Sequence, residues 1–368
     1  MERNREAATR FIEAFNTDDW DTVHEVVTPT FFLHHPVGGD VQLGPQGMIG
    51  IWSHFKAALP DSWHPIPVMI TEGDYLANLL PTYGNFTGEA HQGIPPTGKW
   101  LEYGMVNIVR FEDGKLAEAW FGMDPFAEMQ QMGAVPLPPP RQLNTLEKEN
   151  IEIFQNSINT NNLEYDNVTV FNDIVIALGP PQYAKDTKKR KLEIYKVEGK
   201  SLSLIHSHEF TTIPSYSGDL SVDKELSKAV VTRFFEDVLI RHDTNVLAEI
   251  TSYNILIHPT AMPCEAIYYG FQGIKDWLGK SWKSFPDLTI KDYYAVAQGN
   301  IVAIRWTAQG TSQGHFMMLP PTGKTVKYTG VSMFRIEEDK IAEIWDTCNT
   351  LGIIRQLNPE MGGGHHHH

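Results

Sequence analysis

The sequence predicts an α+β protein in which one domain, helices first and a bent antiparallel sheet after them, occurs twice. The main observation is a repeated motif: residues 93–120 read GIPPTGKWLEYGMVNIVRFEDGKLAEAW, and residues 318–345 read MLPPTGKTVKYTGVSMFRIEEDKIAEIW. Trp120 and Trp345 follow the PPTG glycine at the same spacing in both segments. A period of roughly 225 residues is too long for a solenoid repeat and indicates a duplicated domain.

Each copy is predicted to begin with an amphipathic helix, because its apolar residues recur at helical spacing. These residues are Ala8, Phe11, Ile12 and Phe15 in the first copy, and Val230, Val231, Phe234, Phe235 and Val238 in the second. A short second helix (22–27 and 246–250) and a strand ending in a His-Pro pair are expected next. A third helix (47–59 and 273–282) then precedes a Pro-Asp turn.

The remainder of each copy has the pattern of a β-meander. Long segments such as 296–310 and 326–336 alternate with Gly-Asn, PPTG and Asp-Gly or Glu-Asp turns. The last residue of the PPTG turn, Gly98 or Gly323, is expected to need a positive φ, which glycine tolerates. Helices followed by a meander predict helices packed on one face of a curved sheet.

The domain organisation follows from the repeat and from a proline-rich stretch between the copies. We expect a first domain over 1–135, a linker and degenerate partial repeat over 136–220, a second domain over 221–360, and a linker with a His tag over 361–368. The central part lacks PPTG, the His-Pro pair and the tryptophan, so no binding site is expected there. The open sheet faces are expected to pack on each other as an internal pseudo-dimer, and a homo-oligomer is also compatible.

Composition excludes several classes of partner. The formal net charge of −15 argues against nucleic acid and against anionic membrane surfaces. Two cysteines form no disulfide framework, which favours a reducing, cytoplasmic location. No apolar run reaches the roughly 20 residues that span a bilayer. The sequence has no zinc-ligand spacing, nucleophile elbow or phosphate loop, so neither a metal nor a cofactor is expected.

The repeated motif resembles that of the SnoaL-like polyketide (ester) cyclases, which belong to the superfamily named after nuclear transport factor 2. The residues that carry the resemblance are GIPPTGK, the later DGKLAEAW and Asp124, with corresponding segments in the second copy. The resemblance implies a cone-shaped domain, in which a bent sheet wraps around a long helix and leaves a pocket at its open end. It also implies a cofactor-free intramolecular aldol closure of a polyketide-like substrate.

By position, the resemblance assigns the general acid/base to Asp124, four residues after Trp120. A carboxyl in an apolar pocket has a raised pKa, and it can then exchange a proton with a carbon acid near neutral pH. Strand alternation predicts that Glu118, Trp120, Gly122 and Asp124 share one face. The alternative interpretation is that Asp124 only caps the helix beginning at Pro125.

The second copy differs from the first at these positions. Asn349 replaces Asp124, and Asp346, directly after Trp345, is expected on the opposite face of the strand. Arg305 has no counterpart in the first copy, which has leucines there. We expect Arg305 to bind an acidic or enolate-like group in the second domain, and a salt bridge to a neighbouring strand is the alternative.

Histidines and tryptophans complete the predicted site. His35 and His258 each precede a proline and are expected at the mouth of a pocket, where His35 would take part in proton transfer and His258 in substrate binding. The alternative is a strand-end histidine bonded to the backbone. His91, upstream of PPTG, is a further substrate-binding candidate, as are Trp120, Trp345 and Asn349.

Two hypotheses for the function follow. The first is a cofactor-independent cyclase, isomerase or hydrolase that acts on a small hydrophobic carbonyl compound in the first domain. The second is a non-catalytic module that binds a small hydrophobic molecule or a protein. Asp124 and the intact PPTGK-to-Trp-to-Asp spacing favour the enzyme, whereas Asn349 and the missing arginine of the first copy favour the binding module.

Overall fold

The computed structural model describes residues 2–65, 68–135, 142–165, 167–179, 182–184, 187–211, 218–260 and 268–360. The chain forms two compact units. One contains both copies of the repeat, over residues 1–136, 215–262 and 268–368. The other contains the central segment, over residues 137–214 and 263–267.

The first copy begins with three helices and continues as a sheet, as its periodicity predicts. Its elements are α1 (Glu2–Thr17), α2 (Trp20–Val26), β1 (Val27–His35), β2 (Gly39–Gln42), α3 (Gly44–Ala58), β3 (Val68–Glu72), β4 (Tyr75–Asn85), β5 (Trp100–Glu112), β6 (Lys115–Gly122) and α4 (Pro125–Met132). Asp19 starts α2 by accepting a hydrogen bond from the Thr22 N–H, as an N-cap aspartate does.

The sheet of the first copy has the strand order β2-β1-β6-β5-β4-β3. Neighbouring strands are antiparallel except β1 and β6, which run parallel. The sequence predicted a fully antiparallel meander, so the parallel pairing of β1 with β6 differs from that prediction. Parallel neighbours need a long crossover, and here the chain leaves β1 and passes through the rest of the domain before β6 returns beside it.

The second copy repeats this arrangement. Its elements are α6 (Lys224–Arg233) with a π-helical extension (Phe234–Ile240), a short 3-10 helix (Thr244–Val246), α7 (Leu247–Ile250), β12 (Thr251–His258), β13 (Tyr268–Tyr269), α8 (Gly270–Ser284), β14 (Thr289–Gln298), β15 (Ile301–Thr311), β16 (Thr325–Glu337), β17 (Lys340–Cys348) and α9 (Thr350–Leu357). The strand order β13-β12-β17-β16-β15-β14 matches that of the first copy. The duplicated α+β fold is therefore confirmed.

Two turns of the β pattern contain glycines with a positive φ. Gly98 and Gly323 have φ values of 75° and 73°, so the predicted positive φ at the PPTG turn is confirmed. The pattern predicts one long β segment over 296–310, whereas the structure has the end of β14 and most of β15 there. The turn between these two strands uses Gly299 at a φ of 56°.

The strand register corrects one alignment between the copies. His34 lies opposite Trp120 on β6, and His258 lies opposite Trp345 on β17. The structural counterpart of His258 is therefore His34, although His35 is the residue that precedes the proline. The two His-Pro pairs align in sequence, but the first copy has one more residue between the strand position and the proline.

Each sheet has an inner face on its own helices and an outer face that packs against the other sheet. In the first copy, Phe11 and Phe15 of α1 pack with Trp52 of α3 on the inner face. The outer faces share one buried cluster, containing Val68, Ile70, Ala77, Leu79, Val106 and Ile108 of the first copy with Val296, Ile301, Ala303, Val331, Met333 and Trp345 of the second. Because burying a large aliphatic side chain contributes about 1.5–3 kcal/mol, this cluster is a major contact between the copies.

The central unit consists of α5 (Thr145–Asn161), β7 (Asn167–Phe171), β8 (Ile174–Leu178), β9 (Gln182–Ala184), β10 (Thr187–Glu198) and β11 (Ser201–Thr211). Asn144 and Glu147 form a capping box at the start of α5. The strands pair in the order β11-β10-β8-β7, with β9 beside β10. The basic run 188–191 belongs to β10.

Candidate functional site

A pocket of about 320 Å³ lies between the two copies, where the ends of β1 and β6 of the first copy meet the middle of β15 and β16 of the second. Three of the predicted site residues line it: His35 and Trp120 from the first copy and Arg305 from the second. Its other lining residues are His34, Pro36, Asp40, Phe121, Gly122, Met123, Asp292, Trp306, Thr307, Thr329, Gly330 and Val331.

Trp120 lies on the outer face of its sheet. As alternation predicts, Trp120 shares a face with Glu118 and Gly122, but this face is directed at the second copy and not into the cone. A Cβ on Gly122 would lie 2.4 Å from the Thr347 Oγ1 of the second copy. The Trp120 ring stacks on His34, with centroids 4.9 Å apart and an interplanar angle of 5°.

His34 is held by two carboxylates. Its Nδ1 lies 2.8 Å from Asp40 Oδ1, and its Nε2 lies 2.7 Å from Glu118 Oε2. Glu118 also accepts a hydrogen bond from Arg110 Nε at 3.0 Å. Neither the sequence pattern nor the resemblance singled out this network, because its members are far apart in the chain.

The second copy has the corresponding network in a more buried form. His258 Nε2 lies 2.6 Å from Glu343 Oε2, and Glu343 accepts from Arg335 Nε at 3.2 Å. The ring of His258 stacks on Trp345 with centroids 5.6 Å apart. His258 is completely buried and Trp345 belongs to the cluster between the sheets, so these two predicted binding residues lie in packed surroundings.

Arg305, expected to bind an acidic group in the second domain, lies on the outer face of the second sheet and lines the pocket between the copies. Its guanidinium carbon is 4.5 Å from the ring centroid of Trp120 and 5.4 Å from that of Tyr294, both within range of a cation–π contact. Within the described residues, Arg305 makes no hydrogen bond or ion pair, and its buried Nε has no partner. The predicted alternative, a salt bridge to a neighbouring strand, is not found in that part of the chain.

His35 makes the backbone contacts that the alternative interpretation predicts. Its Nδ1 accepts hydrogen bonds from the N–H groups of Val37 (3.0 Å) and Gly38 (3.2 Å). Burial lowers the pKa of His35. A neutral ring that accepts at Nδ1 carries its proton on Nε2, so His35 can offer an N–H donor.

Asp124 is the N-cap of α4. Its Oδ1 accepts from the N–H groups of Phe126 and Ala127, each at 3.1 Å. Its Oδ2 accepts from Thr350 Oγ1 of the second copy at 3.1 Å. Desolvation raises the pKa of Asp124 to about 6, with a smaller contribution from the charge of Glu128.

Asn349 occupies the equivalent position at the start of α9. Its side-chain oxygen accepts from the Gly352 N–H at 3.0 Å, and its amide nitrogen donates to the Pro36 carbonyl of the first copy at 3.0 Å. Asp124 and Asn349 therefore both cap a helix and both bond to the opposite copy.

The interior of the first cone contains a cavity of about 30 Å³. Its polar lining residues are His64, Asn78 and Asn107, and the Asn107 amide donates to Asn78 Oδ1 at 3.0 Å. Burial lowers the pKa of His64 to about 4. A volume of this size corresponds to about one water molecule, so this cone is largely filled by its own side chains.

His91 lies in a buried polar cluster of the first copy. Its Nε2 is 3.0 Å from Glu128 Oε1, and both residues are below one-tenth exposed. Tyr103 also hydrogen-bonds to Glu128, and burial raises its pKa well above the ordinary value. In this structure, His91 contacts protein carboxylate and does not line the pocket between the copies.

Asp346 lies on the inner face of the second sheet. Strand alternation put it on the face opposite Trp345, and it was therefore not among the predicted site residues. Asp346 pairs with Ser332 across β17 and β16, as Phe121 pairs with Asn107 in the first copy, where both line the cone cavity. Asp346 therefore faces into the second cone. The sequence signal was present, but it was read on the assumption that the tryptophan marks the pocket face.

Asp346 belongs to a chain of hydrogen bonds inside the second cone. Ser332 Oγ donates to Asp346 Oδ1 at 2.5 Å, and Trp306 Nε1 donates to Ser332 Oγ at 2.9 Å. Desolvation raises the pKa of Asp346 to about 7, against the effect of the Ser332 hydrogen bond. A carboxyl with such a pKa exchanges protons readily at neutral pH, which suits a general acid/base.

Tyr328 provides a proton donor near this acid. Burial raises its pKa well above the ordinary value, and the charges of Cys348 and Asp346 contribute in the same direction. Its hydroxyl is therefore protonated at neutral pH. A buried hydroxyl of this kind can stabilise negative charge that develops on a carbonyl oxygen.

The described ranges 2–65, 68–135, 142–165, 167–179, 182–184, 187–211, 218–260 and 268–360 contain neither a metal-binding cluster nor a membrane-spanning helix. No group of three or more histidine, cysteine, aspartate or glutamate side chains is placed there to hold a metal ion. No helix in that part of the chain has the length and apolar character that would span a membrane.

Comparison with known proteins finds one family. The model of the SnoaL-like polyketide cyclase family matches residues 5–132 and 229–357. An aklanonic acid methyl ester cyclase from Streptomyces sp. (strain C5) is 27% identical over 137 residues, which are 36% of this chain and 81% of that protein. A nogalonic acid methyl ester cyclase from Streptomyces nogalater is 25% identical over 123 residues, which are 33% of this chain and 91% of that protein.

Solved structures match over one copy. The crystal structure of wild-type IdmH from Streptomyces antibioticus, assigned as a polyketide cyclase, is 27% identical. The match covers 35% of this chain and 98% of that chain, with a TM-score of 0.32.

Proposed function

Since the chain belongs to the SnoaL-like polyketide cyclase family, we propose that it catalyses a cofactor-independent, aldol-type cyclisation of a small hydrophobic carbonyl compound, with Asp346 as the general acid/base. The observation that carries this proposal is Asp346 itself, whose pKa is raised to about 7 and which is hydrogen-bonded to Ser332 on the inner face of the second cone. The proposed site therefore lies in the second copy.

The proposed reaction needs one group that takes up and returns a proton. The Asp346 carboxylate removes a proton from a substrate carbon flanked by carbonyl groups, and an enolate forms. The enolate carbon then attacks a second carbonyl carbon of the same molecule, so that a C–C bond forms and the C=O π bond opens to an alkoxide. The alkoxide takes the proton from Asp346, which restores the carboxylate. Tyr328 is a candidate donor to the enolate oxygen.

Asp346 is preferred to Asp124 because of what each carboxylate already binds. Both oxygens of Asp124 are occupied, one by the N–H groups of α4 and the other by Thr350 of the opposite copy. Among side chains, Asp346 accepts only from Ser332 within the described residues. The desolvation that raises its pKa also produces the stronger base.

The substrate class is inferred from the relatives. The two curated relatives are named for aklanonic acid methyl ester and nogalonic acid methyl ester. We propose a polyketide-type ester as the substrate of this chain. The aromatic and apolar residues beside Asp346, among them Trp306 and Tyr328, support an apolar ring system as its body.

The experiment compares Asp346→Asn and Asp124→Asn with the unaltered protein, using ring closure of nogalonic acid methyl ester as the assay. Loss of a general base typically lowers the rate by about 10² to 10⁴-fold, and we expect this for Asp346→Asn. Asp124→Asn keeps the helix cap and should retain turnover within a few-fold. Loss of turnover in Asp124→Asn alone would return the active site to the first copy, and full turnover in both variants would exclude both acids.

The second hypothesis, a non-catalytic binding module, is favoured for the first copy by one observation. Phe121 stands where the second copy has Asp346, so the inner face of the first cone has no acid at that position. Native mass spectrometry of the purified protein, searching for a retained small molecule in Asp346→Asn, would distinguish binding without turnover from the absence of binding.

A further inference from the structure

We propose that the pocket between the copies is a second ligand site, which binds a small aromatic monocarboxylate through Arg305, His35 and Trp120. This site does not depend on the proposed cyclase reaction. Arg305 and Trp120 lie on the outer faces of their sheets, whereas Asp346 lies on the inner face. The tandem arrangement is required, because the cation comes from the second copy and the other two side chains come from the first.

The cation of the site is oriented but not neutralised by the protein. Arg305 lies against the rings of Trp120 and Tyr294, at 4.5 Å and 5.4 Å from their centroids. Over the described ranges it has no carboxylate partner, and its Nε is buried without a hydrogen bond. Leaving a buried donor unsatisfied is costly, and a carboxylate is the group that a guanidinium binds best.

His35 supplies a second, uncharged donor to the same pocket. The loop N–H groups of Val37 and Gly38 fix the ring by donating to Nδ1, and this leaves the proton on Nε2. Burial lowers the pKa of His35, which favours the neutral form. Because His35 and Arg305 line the same pocket, one carboxylate can receive a neutral N–H group as well as the guanidinium.

The remaining walls suit an aromatic body. Trp120 of the first copy lines the pocket, together with the apolar residues Pro36 and Met123 of the first copy and Val331 of the second. Its volume of about 320 Å³ is at the lower end of the range typical for small-molecule sites, roughly 300–1,000 Å³. A ligand of one or two fused rings is therefore the best fit.

The rim limits the charge of the ligand. Asp40 and Asp292 also line the pocket, and both are solvent-exposed. His34 is hydrogen-bonded to both Asp40 and Glu118. The negative charges of the carboxylates near the opening therefore outnumber the single positive charge of Arg305. A ligand with two negative charges, such as a phosphate monoester, would be repelled more strongly than a monocarboxylate.

The symmetry-related position, where the first copy would supply the residue equivalent to Arg305, is filled by packed side chains. Leu79 occupies the position of Arg305 and is 5% exposed in the cluster between the sheets. His258, the counterpart of His34, is fully buried, whereas His34 keeps 26% of its side chain exposed. The pocket is therefore specific to one of two related positions, and Arg305→Leu reproduces the natural closed position.

The experiment is calorimetric titration of the full chain with 2-naphthoate, with methyl 2-naphthoate and 2-naphthyl phosphate as matched probes. We expect the carboxylate to bind and the ester and the phosphate to bind at least about tenfold more weakly. Arg305→Leu should weaken 2-naphthoate binding by about ten- to hundredfold. Arg233→Leu is the control, because Arg233 is exposed and paired with Glu249. This variant should bind 2-naphthoate as tightly as the unaltered protein does.

His35→Asn tests the second donor separately. The asparagine oxygen can replace Nδ1 as the acceptor of the loop N–H groups, while the Nε2–H donor is lost, so we expect a several-fold loss of affinity in a folded protein. No binding of 2-naphthoate to the unaltered chain would overturn the proposal. So would equal binding by Arg305→Leu, equal binding of the methyl ester, or tighter binding of the phosphate.

Discussion

At the scale of single residues, each copy contains a buried carboxyl group, and the two groups differ in what they bind. Asp124 and Asp346 both have a pKa raised by desolvation, to about 6 and about 7. The charge of Asp124 also raises the pKa of Asp346, so the first copy affects this acid across the contact between the copies. Asp124 uses its oxygens to hold a helix and the opposite copy, while Asp346 faces a cone interior.

The raised pKa of Asp346 predicts a pH-dependent stability. The folded protein binds this proton more tightly than the unfolded chain, whose aspartates titrate near 3.8. The resulting stabilisation is present at low pH and is lost as pH rises from about 4 through about 7. Asp346→Asn cannot titrate and should therefore gain stability relative to the unaltered protein across this window.

Urea unfolding of both proteins at pH values from 4 to about 8 measures this difference. The difference between the two unfolding free energies at each pH removes the contribution of His64. That contribution has the opposite sign, because burial lowers the pKa of His64 to about 4. Parallel stability profiles for the two proteins would show that Asp346 titrates normally.

At the scale of elements, β6 is fitted closely to the second copy. Glu118, Trp120 and Gly122 lie on its outer face, and Gly122 packs directly against the second copy. A Cβ at Gly122 would lie 2.5 Å from the Val106 carbonyl oxygen and 2.6 Å from the Val331 Cβ. The strand therefore needs glycine for contact and not for its backbone conformation.

Gly122→Ala should destabilise the protein by about 1–3 kcal/mol, because an added methyl group in a packed contact forces its neighbours apart. Gly50→Ala is the matched control: Gly50 lies within α3, and a Cβ there meets no atom within 4 Å. That substitution should stabilise the protein by about 0.5–1 kcal/mol. Denaturant unfolding of both variants measures the contrast, and equal stabilities would contradict the close contact at Gly122.

At the scale of the whole molecule, the two copies are joined by apolar and ionic contacts. The cluster between the outer sheet faces contains residues from both copies. At its edge, Glu72 of the first copy binds Lys224 and Lys228 of the second, at 3.0 Å and 2.6 Å. Each copy covers a surface that would otherwise be exposed to water.

The first copy expressed alone, over residues 1–135, should therefore self-associate. Its outer face would expose Leu79, Val106, Ile108 and Trp120, an apolar patch of the kind found at interfaces. Light scattering coupled to gel filtration should give a mass of at least two copies. Leu79→Glu, which places a charge in the patch, should shift the species toward a monomer. A monomeric, folded fragment without this substitution would contradict the importance of the face.

Much of the fold could be predicted from the sequence because its signals are local or repeated. Helix periodicity located α1 and α6, and the PPTG turns located the positive-φ glycines Gly98 and Gly323. The repeated motif established the duplication. The parallel pairing of β1 with β6 was missed, since it joins segments that are distant in the chain and depends on how the sheet closes.

For the candidate site, the sequence alone determined which side chains alternate and where the copies differ: Asp124 against Asn349, and Arg305 against leucine. Only the tertiary structure decided what each face meets. Alternation states that Glu118 and Trp120 share a face, but it cannot state that this face packs on a second sheet. Alternation correctly put Asp346 on the face opposite Trp345, but it could not state that this face is the one directed into the cone. The equivalence of His34 and His258 was hidden because the first copy has one more residue before the proline. Facing and register are set by long-range packing, which no local pattern records.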